Sequence, residues 1–260
     1  MQDLRITIVQ TSLHWEDNTS NRKHFSKLIK PIRKGSTDLI ILPEMFTSGF
    51  TMNVSKVHET MKGETIAWML QTAKEKQAVV TGSLVIVDKK NYFNRLIWAQ
   101  PDGKVLHYDK RHLFRMADEH LTYTAGEKRK VFLLNGWRIC PLICYDLRFP
   151  VWSRNQEEYD LLIYVANWPK RRSFAWKQLL IARTIENQCF TAGINRVGTD
   201  GKDIPYSGDS VVLNPLGKKI AACKPGSESV TTVTLSAAEL VMLRTSFPVS
   251  KDADKFTINK

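Results

Sequence analysis

Between Asp38 and Pro43 the chain runs Asp-Leu-Ile-Ile-Leu, and no polar side chain interrupts it after the aspartate. A run this short, this apolar and closed by proline reads as a strand buried on both faces, which is how parallel strands covered by helices look. Its flanks agree. Leu4–Gln10 is β-branched and apolar. Asn18–Lys34 places Phe25, Leu28, Ile29 and Ile32 on one side of a helix that Pro31 kinks or ends. Strand, helix and strand in this order make a βαβ opening and commit the chain to an α/β sheet.

The same alternation continues. Thr65–Lys76 reads as a helix and Ala78–Val87 as a strand. Leu96–Gln100 and Lys104–Tyr108 form a hairpin about Pro101-Asp102-Gly103, and Val131–Leu134 and Trp137–Cys144 another about Asn135-Gly136. Then come a helix at Pro150–Glu158, a buried strand at Leu161–Ala166, a helix at Phe174–Gln188 and a strand at Phe190–Arg196. Short strands and turns lead to a last helix near Ala237–Arg244, with a tail from about residue 245. The two hairpins predict mixed sheets with helices outside. A length of 260 residues without a linker or repeat fits one domain.

Composition narrows the function. The longest apolar runs fall well short of the ~20 residues that cross a bilayer, and Met1–Asp17 has no leader profile, so the expectation is a cytoplasmic enzyme without membrane contact. The net charge of +12 raises the possibility of nucleic-acid binding, but the basic groups are dispersed and no nucleic-acid motif accompanies them. Attraction of small anions is another use for such a field. The four cysteines, 140, 144, 189 and 223, are too few for a disulfide scaffold. In one strand Cys140 and Cys144 would stand about 13 Å apart, too far for a disulfide.

Three reactive residues follow strand ends, where α/β sheets place their chemistry: Glu44 after Asp38–Leu42, Lys110 after Lys104–Tyr108, and Cys144 at the end of Trp137–Cys144. Each alone has a plain reading, as a loop acid, a surface cation or a buried thiol. The abrupt change from apolar to charged at Cys144-Tyr145-Asp146-Leu147-Arg148 favours an edge position for the thiol. Asp146 and Arg148 could pair or brace that turn. Phe46, Phe50, Tyr145 and Trp168 are pocket-wall candidates, with core packing as the alternative.

Together the blocks Leu42-Pro43-Glu44-Met45-Phe46, Tyr108-Asp109-Lys110-Arg111-His112-Leu113-Phe114 and Cys144-Tyr145-Asp146-Leu147-Arg148-Phe149-Pro150 resemble, in order, the three signatures of the nitrilase (carbon–nitrogen hydrolase) superfamily. The overall likeness runs from Leu4 to about Leu235 and leans to the omega-amidases. The resemblance implies a four-layer α-β-β-α sandwich, commonly a homodimer, and neither metal nor organic cofactor. It implies Cys144 as nucleophile, Glu44 as proton carrier, Lys110 and the Tyr145 N–H as oxyanion donors, and Glu119 as the acid that orients Lys110. The substrate class implied is a small ω-amide such as 2-oxoglutaramate or 2-oxosuccinamate. Where many relatives carry aspartate, this chain has Arg115, a candidate grip for a substrate carboxylate. The rivals are a nitrile, N-carbamoyl amine or other carboxamide on the same trio, a cysteine–histidine enzyme, and a basic nucleic-acid module.

Overall fold

The computed structural model describes residues 1–258. The first half runs β1 (Leu4–Gln10), α1 (Asn18–Ile29), β2 (Leu39–Ile41), the single turn α2 (Val54–Val57), α3 (Glu64–Lys76), β3 (Val79–Asp88), β4 (Asn91–Ala99), β5 (Val105–Asp109) and the single turn α4 (Glu119–Thr122). The second half runs β6 (Phe132–Leu134), β7 (Trp137–Ile143), the single turn α5 (Pro150–Ser153), β8 (Leu161–Ala166), α6 (Ser173–Asn187), β9 (Phe190–Asn195), β10 (Val197–Thr199), β11 (Pro205–Ser207), β12 (Val211–Leu213), β13 (Lys219–Ala222), β14 (Ser229–Leu235) and α7 (Ala237–Ser246).

Two six-stranded sheets result, ordered β14-β1-β2-β3-β4-β5 and β13-β12-β9-β8-β7-β6, with β10 and β11 as a separate hairpin. Both are mixed. β1, β2 and β3 are parallel, as are β7, β8 and β9, while the other pairings are antiparallel. The period of two sorts the side chains by face. Leu39 and Ile41 join Ile6, Ile8, Trp98, Ile139 and Ile163 in one core shared by both sheets. Ile40, between them, turns the other way onto Phe25 and Ile29 of α1 and Met69 of α3. Helix α6 covers the second sheet, and glycine lets it come close: a Cβ at Gly193 would stand 2.5 Å from Leu180 Cδ1. The layers are helix, sheet, sheet, helix, as the resemblance implies.

Some boundaries move for local reasons. Helix α1 stops at Ile29 instead of running to Lys34: Lys30 still has helical dihedrals and donates to the Ser26 carbonyl, but Pro31 has no N–H to continue the ladder. Strand β4 begins at Asn91, five residues ahead of the expected Leu96, after a two-residue turn in which Lys89 takes a φ of 58°. The helix expected over Pro150–Glu158 is one turn long. Beyond it the Asn155 side chain accepts from the Tyr159 N–H and donates to its carbonyl, which fixes a loop in place of helix. Among the described residues no helix is long and apolar enough to cross a membrane.

Candidate active site

Glu44, Lys110 and Cys144 converge from both sheets, beyond the carboxyl ends of β2, β5 and β7. Glu44 follows Pro43, and Met45 turns the chain with a φ of 42° while its N–H donates to Ser83 Oγ at 2.8 Å. Lys110 continues the pairing of β4 and β5, its N–H donating to the Asn94 carbonyl at 3.0 Å. Lys110 Nζ donates to Glu44 Oε1 at 2.8 Å and to Glu119 Oε1 and Oε2 at 3.0 and 2.9 Å. Glu119 opens α4, and its Oε2 also accepts the Phe114 N–H at 2.6 Å, which folds the intervening loop inward. All three side chains are fully buried.

Burial alone would lower the Lys110 ammonium, but Glu119 and then Glu44 outweigh it and hold the lysine charged, above its ordinary range. Burial raises the Glu119 carboxyl, with Lys110 opposing. Cys144 sits one residue past β7, at the head of a 3₁₀ turn over Cys144–Arg148, with a φ of 45°. A non-glycine residue in this left-handed region is strained, and strain of this kind gathers at functional sites. Asp146 holds the turn. Its Oδ2 accepts the Ile143 N–H at 3.0 Å and the Tyr108 hydroxyl at 2.7 Å, and its Oδ1 accepts the His112 N–H at 3.0 Å and pairs with His112 Nδ1 at 2.8 Å. Cys144 Sγ lies 3.9 Å from the Asn167 carbonyl. Burial, then the charge of Glu44, push the thiol well above its usual range, with Lys110 opposing. The site therefore sets a thiol, held toward its protonated form, against a lysine and two carboxyl groups.

The thiol opens on a cavity of about 120 Å³ walled by Phe50, Phe114, Tyr145, Trp168 and Tyr206. Its rim carries Arg148, Arg171 and Arg172. Arg148 lies over the Trp168 ring at 5.0 Å and Arg172 over Phe114 at 5.3 Å. Among the described residues no ion pair joins any of the three arginines to a carboxylate. Burial, then the charges of Arg171 and Arg148, lower the Arg172 guanidinium.

Of the expected wall residues, Phe50, Tyr145 and Trp168 line the cavity. Phe46 does not: it packs in the core against Phe25 at 5.2 Å. Arg115, expected to face a bound carboxylate, is exposed at the start of a 3₁₀ turn, outside the cavity lining. Its neighbours Phe114, Met116 and Ala117 line the cavity instead. Asp146 braces the turn after Cys144 and forms no pair with Arg148. No histidine lines the cavity, which removes the geometry of a cysteine–histidine enzyme.

Three asparagines escaped the sequence reading. Asn94 Nδ2 donates to Glu44 Oε1 at 2.8 Å and to Glu119 Oε1 at 3.2 Å. Asn167 gives its N–H to Glu44 Oε2 at 2.8 Å and its Nδ2 to the Glu44 carbonyl at 2.6 Å. Asn195 Oδ1 accepts the Trp168 N–H at 2.8 Å and fixes that wall. Their signal was an isolated amide within or just after an apolar run, as in Val165-Ala166-Asn167.

A thiol held against a buried carboxylate–ammonium–carboxylate cluster, on a double-sheet frame, defines a cysteine-dependent hydrolase. The chain belongs to the carbon–nitrogen hydrolase family, which matches residues 5–245. It is 46% identical over 258 residues to omega-amidase YafV of Escherichia coli (strain K12), covering 99% of this chain and 100% of that one. It is 32% identical over 255 residues to the 2-oxoglutaramate amidase of Bacillus subtilis (strain 168), covering 96% and 97%. The crystal structure of XC1258 from Xanthomonas campestris, a CN-hydrolase superfamily protein with an arsenic adduct in its active site, superposes with a TM-score of 0.97 at 47% identity and full coverage of both chains.

Proposed function

We propose that this enzyme hydrolyses the terminal carboxamide of small 2-oxo ω-amides, 2-oxoglutaramate foremost and 2-oxosuccinamate beside it, to the acid and ammonia. The observation that carries the reading is the cavity itself: it is lined by the Cys144 thiol, and the arginines at its rim have no acidic partner among the described residues. The named relatives, an omega-amidase and a 2-oxoglutaramate amidase, support an ω-amide and 2-oxoglutaramate in particular.

In this reading Cys144 Sγ attacks the amide carbon while Glu44 takes the thiol proton. The carbonyl oxygen becomes an oxyanion held by Lys110 and by the Tyr145 N–H, one of the first amides of a 3₁₀ turn, which have no acceptor within the turn. Glu44 returns the proton to the nitrogen, the C–N bond breaks, and ammonia leaves a thioester on Cys144. Water, deprotonated by Glu44, attacks the thioester carbon; the C–S bond breaks, Glu44 returns the proton to the sulfur, and the acid is released. Glu119 keeps Lys110 aimed. Phe50 and Trp168 wall the substrate chain, and Arg148 with Arg172 receives its carboxylate in the place first assigned to Arg115. Residence in a reducing cytoplasm fits the four free cysteines. A homodimer fits exposed Phe174 and Ile185, three turns apart on one face of α6.

The test is ammonia release from 2-oxoglutaramate beside glutamine, an aliphatic nitrile and an N-carbamoyl amine, with Cys144→Ala as control. Release from 2-oxoglutaramate alone, lost in the variant, is expected. Release only from another substrate would keep the thiol chemistry and overturn the substrate.

A further inference from the structure

We infer that Asn94 is a positioning residue of this reaction: its amide locks both carboxyl groups onto Lys110 and directs the basic oxygen of Glu44 toward the thiol. The inference rests on the reading of Glu44 as the base for Cys144.

Asn94 lies on β4 opposite Val85 and is 1% exposed. Its Nδ2 reaches Glu44 Oε1 at 2.8 Å and Glu119 Oε1 at 3.2 Å. Lys110 Nζ reaches the same two oxygens at 2.8 and 3.0 Å. Two donors and two acceptors thus close a ring. The orientation of the amide follows from its neighbours, since a flipped Asn94 would set its carbonyl oxygen against both carboxyl groups. Asn94 Oδ1 in turn finds no donor among the described residues. A buried acceptor without a donor costs folding free energy. The site keeps that cost because the two bonds made by Nδ2 require this orientation.

The ring answers an electrostatic difficulty. Two carboxyl groups crowd one ammonium in a dry pocket, and their mutual repulsion would splay them. A second cation would hold them too, but would draw Glu44 away from the thiol. A neutral amide holds them without competing for charge.

The ring also assigns the lone pairs of Glu44. Its Oε1 takes both Lys110 and Asn94 and is saturated. Among the described residues its Oε2 accepts the Asn167 N–H at 2.8 Å, which leaves a lone pair for the proton of the neighbouring thiol. When the S–H bond breaks and the S–C bond forms, that proton passes to Oε2, and from there to the departing nitrogen. Without Asn94 the carboxylate of Glu44 is free to rotate, and either oxygen can turn to Lys110.

The experiment measures kcat and KM for 2-oxoglutaramate across pH in Asn94→Ala, Asn94→Ser and Glu44→Gln, with melting curves for each. Asn94→Ala is expected to melt as a folded protein and to lose about 100-fold in kcat, the usual cost of a misplaced catalytic group, with KM within about threefold. The acid limb of its kcat/KM profile is expected to move to higher pH, because a carboxyl pair with one donor fewer takes a proton more readily. Asn94→Ser, whose hydroxyl can serve one carboxyl, is expected to fall between Asn94→Ala and wild type in both readouts. An unmoved profile in Asn94→Ser, or in a folded Asn94→Ala, overturns the inference while an inactive Glu44→Gln leaves the base assignment standing. Should Asn94→Ala not fold, the profile of Asn94→Ser decides alone. An active Glu44→Gln overturns the base assignment and the inference with it.

Discussion

At Cys144 the protein sets reactivity by withholding charge. Many reactive cysteines are thiolates at rest, stabilised by a nearby cation. Here burial, then Glu44, push the thiol well above its usual range despite Lys110. Below that raised value the sulfur is neutral, so it becomes nucleophilic only as its proton leaves. Alkylation of Cys144 by iodoacetamide should therefore climb steadily from pH 7 to 10, close to tenfold per unit, without levelling. A plateau reached below pH 9 would mean a resting thiolate and sink this account. That Glu44, Lys110 and Cys144 could gather at one place was legible in the sequence, because each follows a strand end inside a short block where apolar residues give way to charged ones. Arg115 was misplaced, because which side chain of a loop points inward depends on the loop's path, and no periodicity encodes it. Asn94 was missed for a different reason. The strand expected at Leu96 begins at Asn91, after a Lys-Lys turn that carries no turn chemistry, so Asn94 was not recognised as a strand residue facing a site.

The catalytic elements are bound to each other by a buried carboxylate. Asp146, fully buried, accepts from the backbone at Ile143 and His112 and from the Tyr108 hydroxyl, while Trp152 Nε1 donates to that hydroxyl at 3.0 Å. It ties the turn after β7 to the end of β5, and so Cys144 to the segment that carries Lys110. Asp146→Ala would leave several buried donors without an acceptor, at about 3–5 kcal/mol. For a chain of this size the melting temperature should fall by roughly 6–15 °C, and activity should fall with it. A melting temperature within about 2 °C of wild type, too small for even 1 kcal/mol in a chain this size, would show that water takes over these donors. The sequence announced the turn through Cys144-Tyr145-Asp146-Leu147-Arg148 and offered Asp146 either as a partner of Arg148 or as a brace of that turn, but not the groups it would brace against. Besides the nearby Ile143 N–H, the donors at His112 and Tyr108 lie 34 and 38 residues away in sequence, a separation that local pattern does not reach.

The site exists only because two sheets meet. Glu44, Asn94, Lys110 and Glu119 come with the first sheet, Cys144, Asn167 and the arginine rim with the second, and neither half holds both the thiol and the carboxyl groups. The chain ties the halves by sending β14 back to β1 in antiparallel register from Leu4↔Leu235 to Gln10↔Ser229. The alternation of Ser-Val-Thr-Thr-Val-Thr-Leu announces a strand but not a partner more than 200 residues away. Charge is the other property of the whole molecule. A net +12 surrounds a cavity whose rim holds Arg148, Arg171 and Arg172. A long-range positive field should raise the encounter rate of an anionic amide, and salt should weaken it as the screening length shrinks from about 20 Å to about 6 Å. Between 20 and 300 mM sodium chloride, kcat/KM for 2-oxoglutaramate should fall by about threefold or more. An uncharged amide of similar length should show no such dependence, since it carries no charge for the field to act on. Replacing Arg171 and Arg172 together by alanine should flatten the slope for the anion by removing the charges nearest its path. Equal slopes for the charged and uncharged amides would mean that salt acts on the fold or the chemistry, and the basic surface would then have no part in capturing substrate.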